Sequence, residues 1–257
     1  MIVVVSPAKS LDFEQAPPTA EFSQPDFLDE SSKLVRRMRK MDAGDLSDLM
    51  GIKEKLATLN VERFRDWRRP FTPKNAKPAL FAFQGDVYKG LEAEGLTSTQ
   101  LEWTQQHLRI LSGLYGALRP LDLIQPYRLE MGLPVDIGKD PNLYSFWGTK
   151  ITESLNAVLA EEGSKTLVNL ASNEYFKSVR PERLEARVVT PVFKDDKNGK
   201  QRVISFYAKW ARGAMVRHLS RKRAKTARAL RSFTEGGYAF DEAQSTPESP
   251  VFVRRHD

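Results

Sequence analysis

Three short stretches place a lysine close to hydroxyl or carboxylate residues just after an apolar run. Ser6-Pro7-Ala8-Lys9 follows Ile2-Val3-Val4-Val5, Asp86 to Lys89 follow residues 79–83, and Glu174 to Lys177 follow residues 166–170. Strand ends of this kind are common places for a site. A fourth stretch, residues 107–131, carries Ser112-Gly113-Leu114-Tyr115-Gly116 between Arg109 and Arg119, with Arg128 and Glu130 beyond. Two glycines three apart let backbone amides approach a flat or charged group, because no Cβ stands in the way. Amides flanked by arginines can hold a nucleic-acid phosphate. The same spacing also serves a tight connection inside an ordinary core.

Ser6-x-x-Lys9 has the spacing of serine acyl enzymes, in which the serine opens a helix and the lysine lies one turn on. Pro7 follows the serine here, and the partner motifs of those enzymes are absent. Lys9 is left as an anion contact or as part of a solvated loop. Asp86, Asp122, Glu130 and Glu174 stand near glycines or basic residues. An enzyme acting on nucleic acid or nucleotides through paired metals needs such carboxylates to converge on ions about 4 Å apart; each alone is a cap or a salt-bridge partner. His107, His218 and His256 lack metal-ligand spacing, and the chain has no cysteine. Disulfides, thiolate catalysis and cysteine-ligated iron–sulfur clusters are therefore excluded, and no cofactor or resident metal is expected.

The net charge of +7 is unevenly placed. Residues 208–231 hold nine Lys/Arg (Lys209, Arg212, Arg217, Arg221, Lys222, Arg223, Lys225, Arg228 and Arg231) and no Asp or Glu, which leaves 31 basic against 33 acidic residues elsewhere. An uncompensated block points to a polyanion. Read as one helix, it puts Arg217, Arg221, Lys225, Arg228 and Arg231 within about 120° of one another, opposite Met215, Leu219 and Leu230. A membrane-surface helix needs bulky Trp, Phe or Leu on its apolar face. This one has several alanines, so nucleic acid is the favoured partner. No apolar run approaches the roughly 20 residues of a membrane span.

The elements that must position these groups follow from apolar periodicity. Ile2-Val3-Val4-Val5 reads as a buried strand and not a signal peptide. Leu34, Val35, Met38 and Met41 mark a helix. A second helical tract runs from Leu46 to Trp67, broken near Gly51 and Asn60, with Asp42 and Asp45 as N-cap candidates. Residues 79–83, 166–170, 187–193 and 202–207 read as strands, the last two joined by a turn at Asn198-Gly199. Thr97 and Gln100 form a capping box for a helix that starts near Ser98 and reaches the glycine turn through Leu108, Ile110 and Leu111. Another helix runs from Leu143 through Leu159 to a terminal Gly163. No repeat or low-complexity linker divides the chain. Residues 1–257 are expected to form one domain, an α+β (mixed α/β) fold with a mixed β-sheet flanked by helices.

Long segments resemble the bacterial YaaA family of peroxide-stress proteins: ISPAKSLDF (with Val5 in place of the isoleucine), FQGDVYKGL, HLRILSGLYGALRPLDLIQPYRLEMG, LYSFWG, NLASNEYFKSV, PVFKDDKNGK, ISFYAKWARGAMVR and EGGYAFDE. They run from end to end and are loosest over residues 14–60 and after Arg217. The resemblance implies a cytoplasmic protein of the hydrogen-peroxide response, linked to limiting damage from free intracellular iron. It also implies a basic cleft and a helix-hairpin-helix element that binds duplex or branched DNA without sequence preference. That element maps to residues 108–123, with its hairpin at 112–116. Gly113-x-x-Gly116 departs from the usual Gly-x-Gly, and Pro120 limits the second helix. The expected DNA contacts are Ser112, Gly113, Leu114, Tyr115 and Gly116, with Lys9, Lys89, Arg109, Arg119, Arg128, Lys177, Lys209, Arg212, Arg217 and Arg221. A DNA-binding monomer is favoured over an enzyme; the alternative is a metal-dependent or base-acting enzyme on nucleic acid or nucleotides that uses Asp86, Asp122, Glu130 and Glu174.

Overall fold

The β-branched run at the N-terminus becomes the middle strand of the principal sheet. In the computed structural model, which describes residues 1–256, Ile2–Val5 is wholly buried. It pairs in parallel with Leu108–Ser112 on one side and Thr166–Leu170 on the other. A strand apolar on both faces belongs in the interior of a parallel sheet covered by helices. Gly116–Leu118 adds an antiparallel edge beside Leu108–Ser112, and Arg187–Val189 a parallel edge beside Thr166–Leu170. The carboxyl ends of the three inner strands therefore lie along one edge, and the stretches after Val5, Ser112 and Leu170 are neighbours.

A second sheet is built from Lys200–Arg202, Val192–Lys197, Val251–His256 and Tyr238–Asp241, in that order. Phe193, Phe233, Tyr238 and Phe252 pack ring against ring beneath it. Both sheets share one contiguous apolar core. The helix Ser205–Arg221 joins them by packing closely on the helix Asp86–Leu91. A Cβ on Gly90 would collide with the Trp210 carbonyl, and one on Gly213 with the Val87 carbonyl. The fold is mixed α/β, as the periodicity predicts, and among the described residues no helix is long and apolar enough to cross a membrane.

Thr97 and Gln100 cap Ser98–His107, and Asp42 with Asp45 caps Ala43–Met50. Several boundaries differ. The helix from Ser98 stops at His107, and the next five residues are the strand Leu108–Ser112. A short apolar run fits either period, and the demand of the central strand for a partner decides it. Residues 79–82 are a helical turn rather than a strand. Residues 187–193 divide between the two sheets, and residues 205–207 already belong to the helix Ser205–Arg221. The helix after Leu143 is split at Gly148, which has φ +51°. Asn60 does not break its helix; it is buried and donates to the Leu56 carbonyl.

The basic helix ends at Arg221. Arg223 takes φ +45°, and Ala224 N–H closes the turn on the Leu219 carbonyl. Lys225 lies beyond the helix, while Arg228 and Arg231 fall on the separate 3-10 segment Ala227–Ser232. The continuous stripe of five cations is thus not formed.

Candidate functional site

Parallel pairing brings two of the sequence-selected stretches together at the carboxyl edge of the principal sheet. Ser6 Oγ accepts the Ser172 amide at 2.8 Å and donates to Ser172 Oγ at 3.3 Å, which clasps the loop after Val5 to the loop after Leu170. Tyr88 of the helix Asp86–Leu91 donates its hydroxyl to the Ser6 carbonyl. Residues 128–132 cross this edge as a strap. At one side the Leu129 carbonyl lies so close over Gly113 that a Cβ would collide with it. At the other, Gly132 N–H donates to Glu174 Oε1 at 3.0 Å.

Glu130 sits in the middle of the strap and is only 8% exposed. Its Oε1 receives Arg128 Nε at 3.1 Å, Arg128 Nη2 at 3.0 Å and Lys9 Nζ at 3.3 Å. Its Oε2 is buried without a hydrogen-bond partner. Tyr88, Tyr127 and Tyr175 lie within electrostatic range of one another, and burial pushes all three phenols upward. Burial, aided by nearby Arg128, holds the Arg63 guanidinium below its usual range.

The glycine turn expected to face DNA is part of the core. Residues 112–116 join two strands of a β-hairpin, and all five are buried. Their polar groups are used internally. Ser112 Oγ accepts the Tyr115 amide and pairs with the Tyr127 hydroxyl, Ser31 Oγ donates to the Leu114 carbonyl, and Trp147 Nε1 donates to the Gly113 carbonyl. The helix-hairpin-helix reading of residues 108–123 is therefore corrected to a buried β-hairpin.

The flanking arginines also have internal partners. Arg109 is buried and donates to the carbonyls of Gln105, Gln106 and Leu108, covering the end of the preceding helix. Arg119 holds Asp122, Asp26 and the Gln24 carbonyl. Arg217 pairs with Glu92 and Glu235, and Arg221 with Glu235. Arg212 is half-buried, while Lys9, Lys89, Lys177 and Lys209 are exposed.

The four carboxylates separate in the same way. Asp122 is fully buried, accepts from Ser23 and Arg119, and burial raises its carboxyl to about 6. Asp86 opens the helix Asp86–Leu91. Glu130 lies within the strap, and Glu174 accepts from the Gly132 amide at the strap's end. Among the described residues no three His, Cys, Asp or Glu side chains gather closely enough to hold a metal ion.

A helical hairpin does occur in the chain, within the helical tract that is broken at Gly51. Ala43–Met50 ends at Gly51 (φ +60°, ψ +44°), and after Ile52-Lys53 the helix Glu54–Asp66 begins. The Gly51 amide and the Ile52 amide both return to the Ser47 carbonyl, and Ser47 Oγ donates to the Ile52 carbonyl. The second helix has no side-chain cap, and its first internal bonds run from Leu56 and Ala57 to the Lys53 carbonyl. The Glu54 and Lys55 amides thus precede the hydrogen-bonded ladder. Lys53 and Lys55 are exposed, and nothing lies within 4 Å of the place a Gly51 Cβ would occupy. The available signal was Gly51 between two apolar helical tracts.

Comparison with known sequences agrees with this chain along nearly its whole length. The family described as peroxide stress protein YaaA matches residues 1–244. UPF0246 proteins of Aliivibrio fischeri strains MJ11 and ATCC 700601 / ES114 are each 54% identical over 254 residues, covering 99% of this chain and 98% of theirs. A UPF0246 protein of Shewanella baltica strain OS185 is 51% identical over 254 residues, 99% of each chain. With the family matched over all but the last residues, this chain belongs to the peroxide stress protein YaaA family.

Proposed function

We propose that this chain acts in peroxide stress by binding DNA through its phosphate backbone, without reading base sequence. The observation that carries this reading is the open helical hairpin at residues 43–66. Its second helix presents uncapped amides at the positive end of the helix dipole, with Lys53 and Lys55 exposed on either side of Glu54, the acid of its first turn. An anion is favoured at such a place by hydrogen bonding and by the dipole together. Gly51 leaves the approach unobstructed.

A second feature supports it. The helix Ser205–Arg221 also begins without a side-chain cap, has no acid in its first turn, and carries exposed Lys209 there. Exposed Lys89 lies on the helix packed against it. Lys177 adds a further surface cation. Phosphate contacts position a protein on nucleic acid and carry no base information.

The test is anisotropy titration of the full chain against labelled duplex and branched DNA over a range of salt. Each phosphate neutralised contributes about 0.9 to the slope of log affinity against log salt. The double variant Lys53→Ala/Lys55→Ala should weaken binding to every sequence alike and reduce the slope by roughly 1–2. Absence of binding at low salt, or an unchanged slope and affinity in that variant, would overturn the proposal.

A further inference from the structure

The chain turns back on itself at the middle of the principal sheet. From Ile2–Val5 the next sheet strand lies to one side, and Thr166–Leu170 lies to the other. The crevice outside the carboxyl ends at such a reversal is where open α/β sheets bind their ligands. Here it is flanked by the loop carrying Lys9 and by the loop carrying Ser172, and the strap carrying Glu130 runs across it.

Glu130 is the unexplained group. Three contacts converge on its Oε1, yet its Oε2 is buried with no donor. A buried acceptor left unpaired is costly, and native structures satisfy most such atoms. The missing partner is an N–H or O–H. Lys9, Arg128 and nearby Arg63 already make the surroundings cationic, which disfavours a cation as the missing partner. A neutral donor fits better.

Lys9 also defines a way in. Its side chain is 66% exposed and holds Glu130 by a single contact. The lysine end of this pair is open to solvent and the Glu130 end is buried, so an entering ligand can draw Lys9 onto an anionic group and reach Glu130 behind it. Buried Tyr127 and Tyr175 lie near the carboxylate and make its surroundings aromatic. A ligand with a neutral donor edge, a flat ring and an anion meets all of these conditions at once.

We propose that the carboxyl edge of the principal sheet binds a single nucleotide, with a ring N–H on Glu130 Oε2 and its phosphate on Lys9. The nucleotide is either free or extruded from a nucleic-acid strand. This site is separate from the helical hairpin and does not depend on the DNA-binding reading.

Calorimetric titration of the full chain with the four nucleoside 5′-monophosphates, their parent nucleosides and inorganic phosphate tests the assignment. At least one monophosphate should bind more tightly than its nucleoside and than phosphate alone. Lys9→Met, an exposed change, should remove that advantage of about tenfold while leaving nucleoside affinity intact. Glu130→Gln should weaken monophosphate and nucleoside alike by roughly ten- to hundredfold, the loss of a hydrogen bond to a charged group. Melting curves check that both variants remain folded; if Glu130→Gln does not, the Lys9→Met comparison decides. Competition by an unlabelled single-stranded oligonucleotide identifies an extruded nucleotide as the source, and lack of competition a free one. No monophosphate binding at millimolar concentration would overturn the proposal. So would monophosphate affinity unaltered by Lys9→Met. A chain that binds monophosphates but not DNA keeps this site and rejects the hairpin.

Discussion

Two of the glycine turns in this protein, at 112–116 and at Gly51, use the same residue for opposite purposes. The turn at 112–116 is buried, and Gly113 lets the Leu129–Glu130 backbone press against it. The turn at Gly51 is open, and the residue supplies a left-handed conformation where nothing else is near. In the first, absence of a Cβ is a packing requirement. In the second, it is a conformational preference. Glycine spacing and adjacent arginines did not separate these cases. Tertiary surroundings did, by consuming the polar groups of one turn and leaving the helix start after the other uncovered.

The contrast is broken most directly at Gly113. Gly113→Ala should destabilise the fold by about 3 kcal/mol, because the obstacle is backbone and cannot turn aside. In a chain of this size that is a fall in melting temperature of roughly 6–12 °C. A neutral result would show that the strap is not pinned there. It would also remove the structural basis for holding Glu130 over the sheet.

Asp122 sharpens the buried side of the comparison through pH. Burial raises its carboxyl to about 6, against the opposing pull of Arg119 and Ser23. The folded state therefore binds the proton more tightly than the unfolded chain does. This contribution to stability is complete below about pH 4 and is lost as pH rises through 6. Replacement by Asn should flatten the decline between pH 4 and 7 by on the order of 2 kcal/mol, read from urea midpoints across that range. A decline as steep as that of the parent protein would refute the assignment.

Arg217 tests whether the basic block is a binding surface or a packed one. Its side chain is 11% exposed and is held between Glu92 and Glu235. Glu92 is largely exposed, so that arm counts for little. Arg217→Ala should cost about 1–2 kcal/mol, mainly through Glu235 left without its closer partner. The salt slope of DNA binding should not change; a flatter slope would return Arg217 to the binding surface.

Gly51→Ala gives the smallest effect. A Cβ in the left-handed region costs about 1 kcal/mol, and the open surroundings add no collision. Thermal melting should show a drop well below that of Gly113→Ala. A larger drop would reverse the ranking on which the comparison stands.

Local chemistry was readable where one segment contains all the partners. Thr97 with Gln100 and the Asn198-Gly199 turn need only neighbouring residues and form as predicted; of the two N-cap candidates Asp42 is the cap, and Asp45 completes its box. The strand Ile2–Val5 was legible because four consecutive apolar residues demand burial on both faces. The strand Leu108–Ser112 was not, since a five-residue apolar run fits helix or strand until a neighbour claims its hydrogen bonds. The candidate site was legible only in parts. Nothing in the separation of Lys9, Arg128 and Glu130 along the chain showed that they meet on one sheet edge, or that Glu174 holds the end of the same strap.

The charge pattern shows the same division. Composition alone fixed that residues 208–231 carry nine cations and no acid. That fact is independent of folding. Whether the charge is free is a matter of distance, and electrostatic pairing ignores sequence separation. Glu92 reaches Arg217 across 125 positions, and Glu235 reaches both Arg217 and Arg221. The sequence by itself determined the kinds of groups this protein has, its caps and turns, and its family. Only the tertiary structure decided which cations are already paired, which glycine turn is open and which carboxylate oxygen is left without a donor, because each depends on what the folded chain brings within about 3 Å.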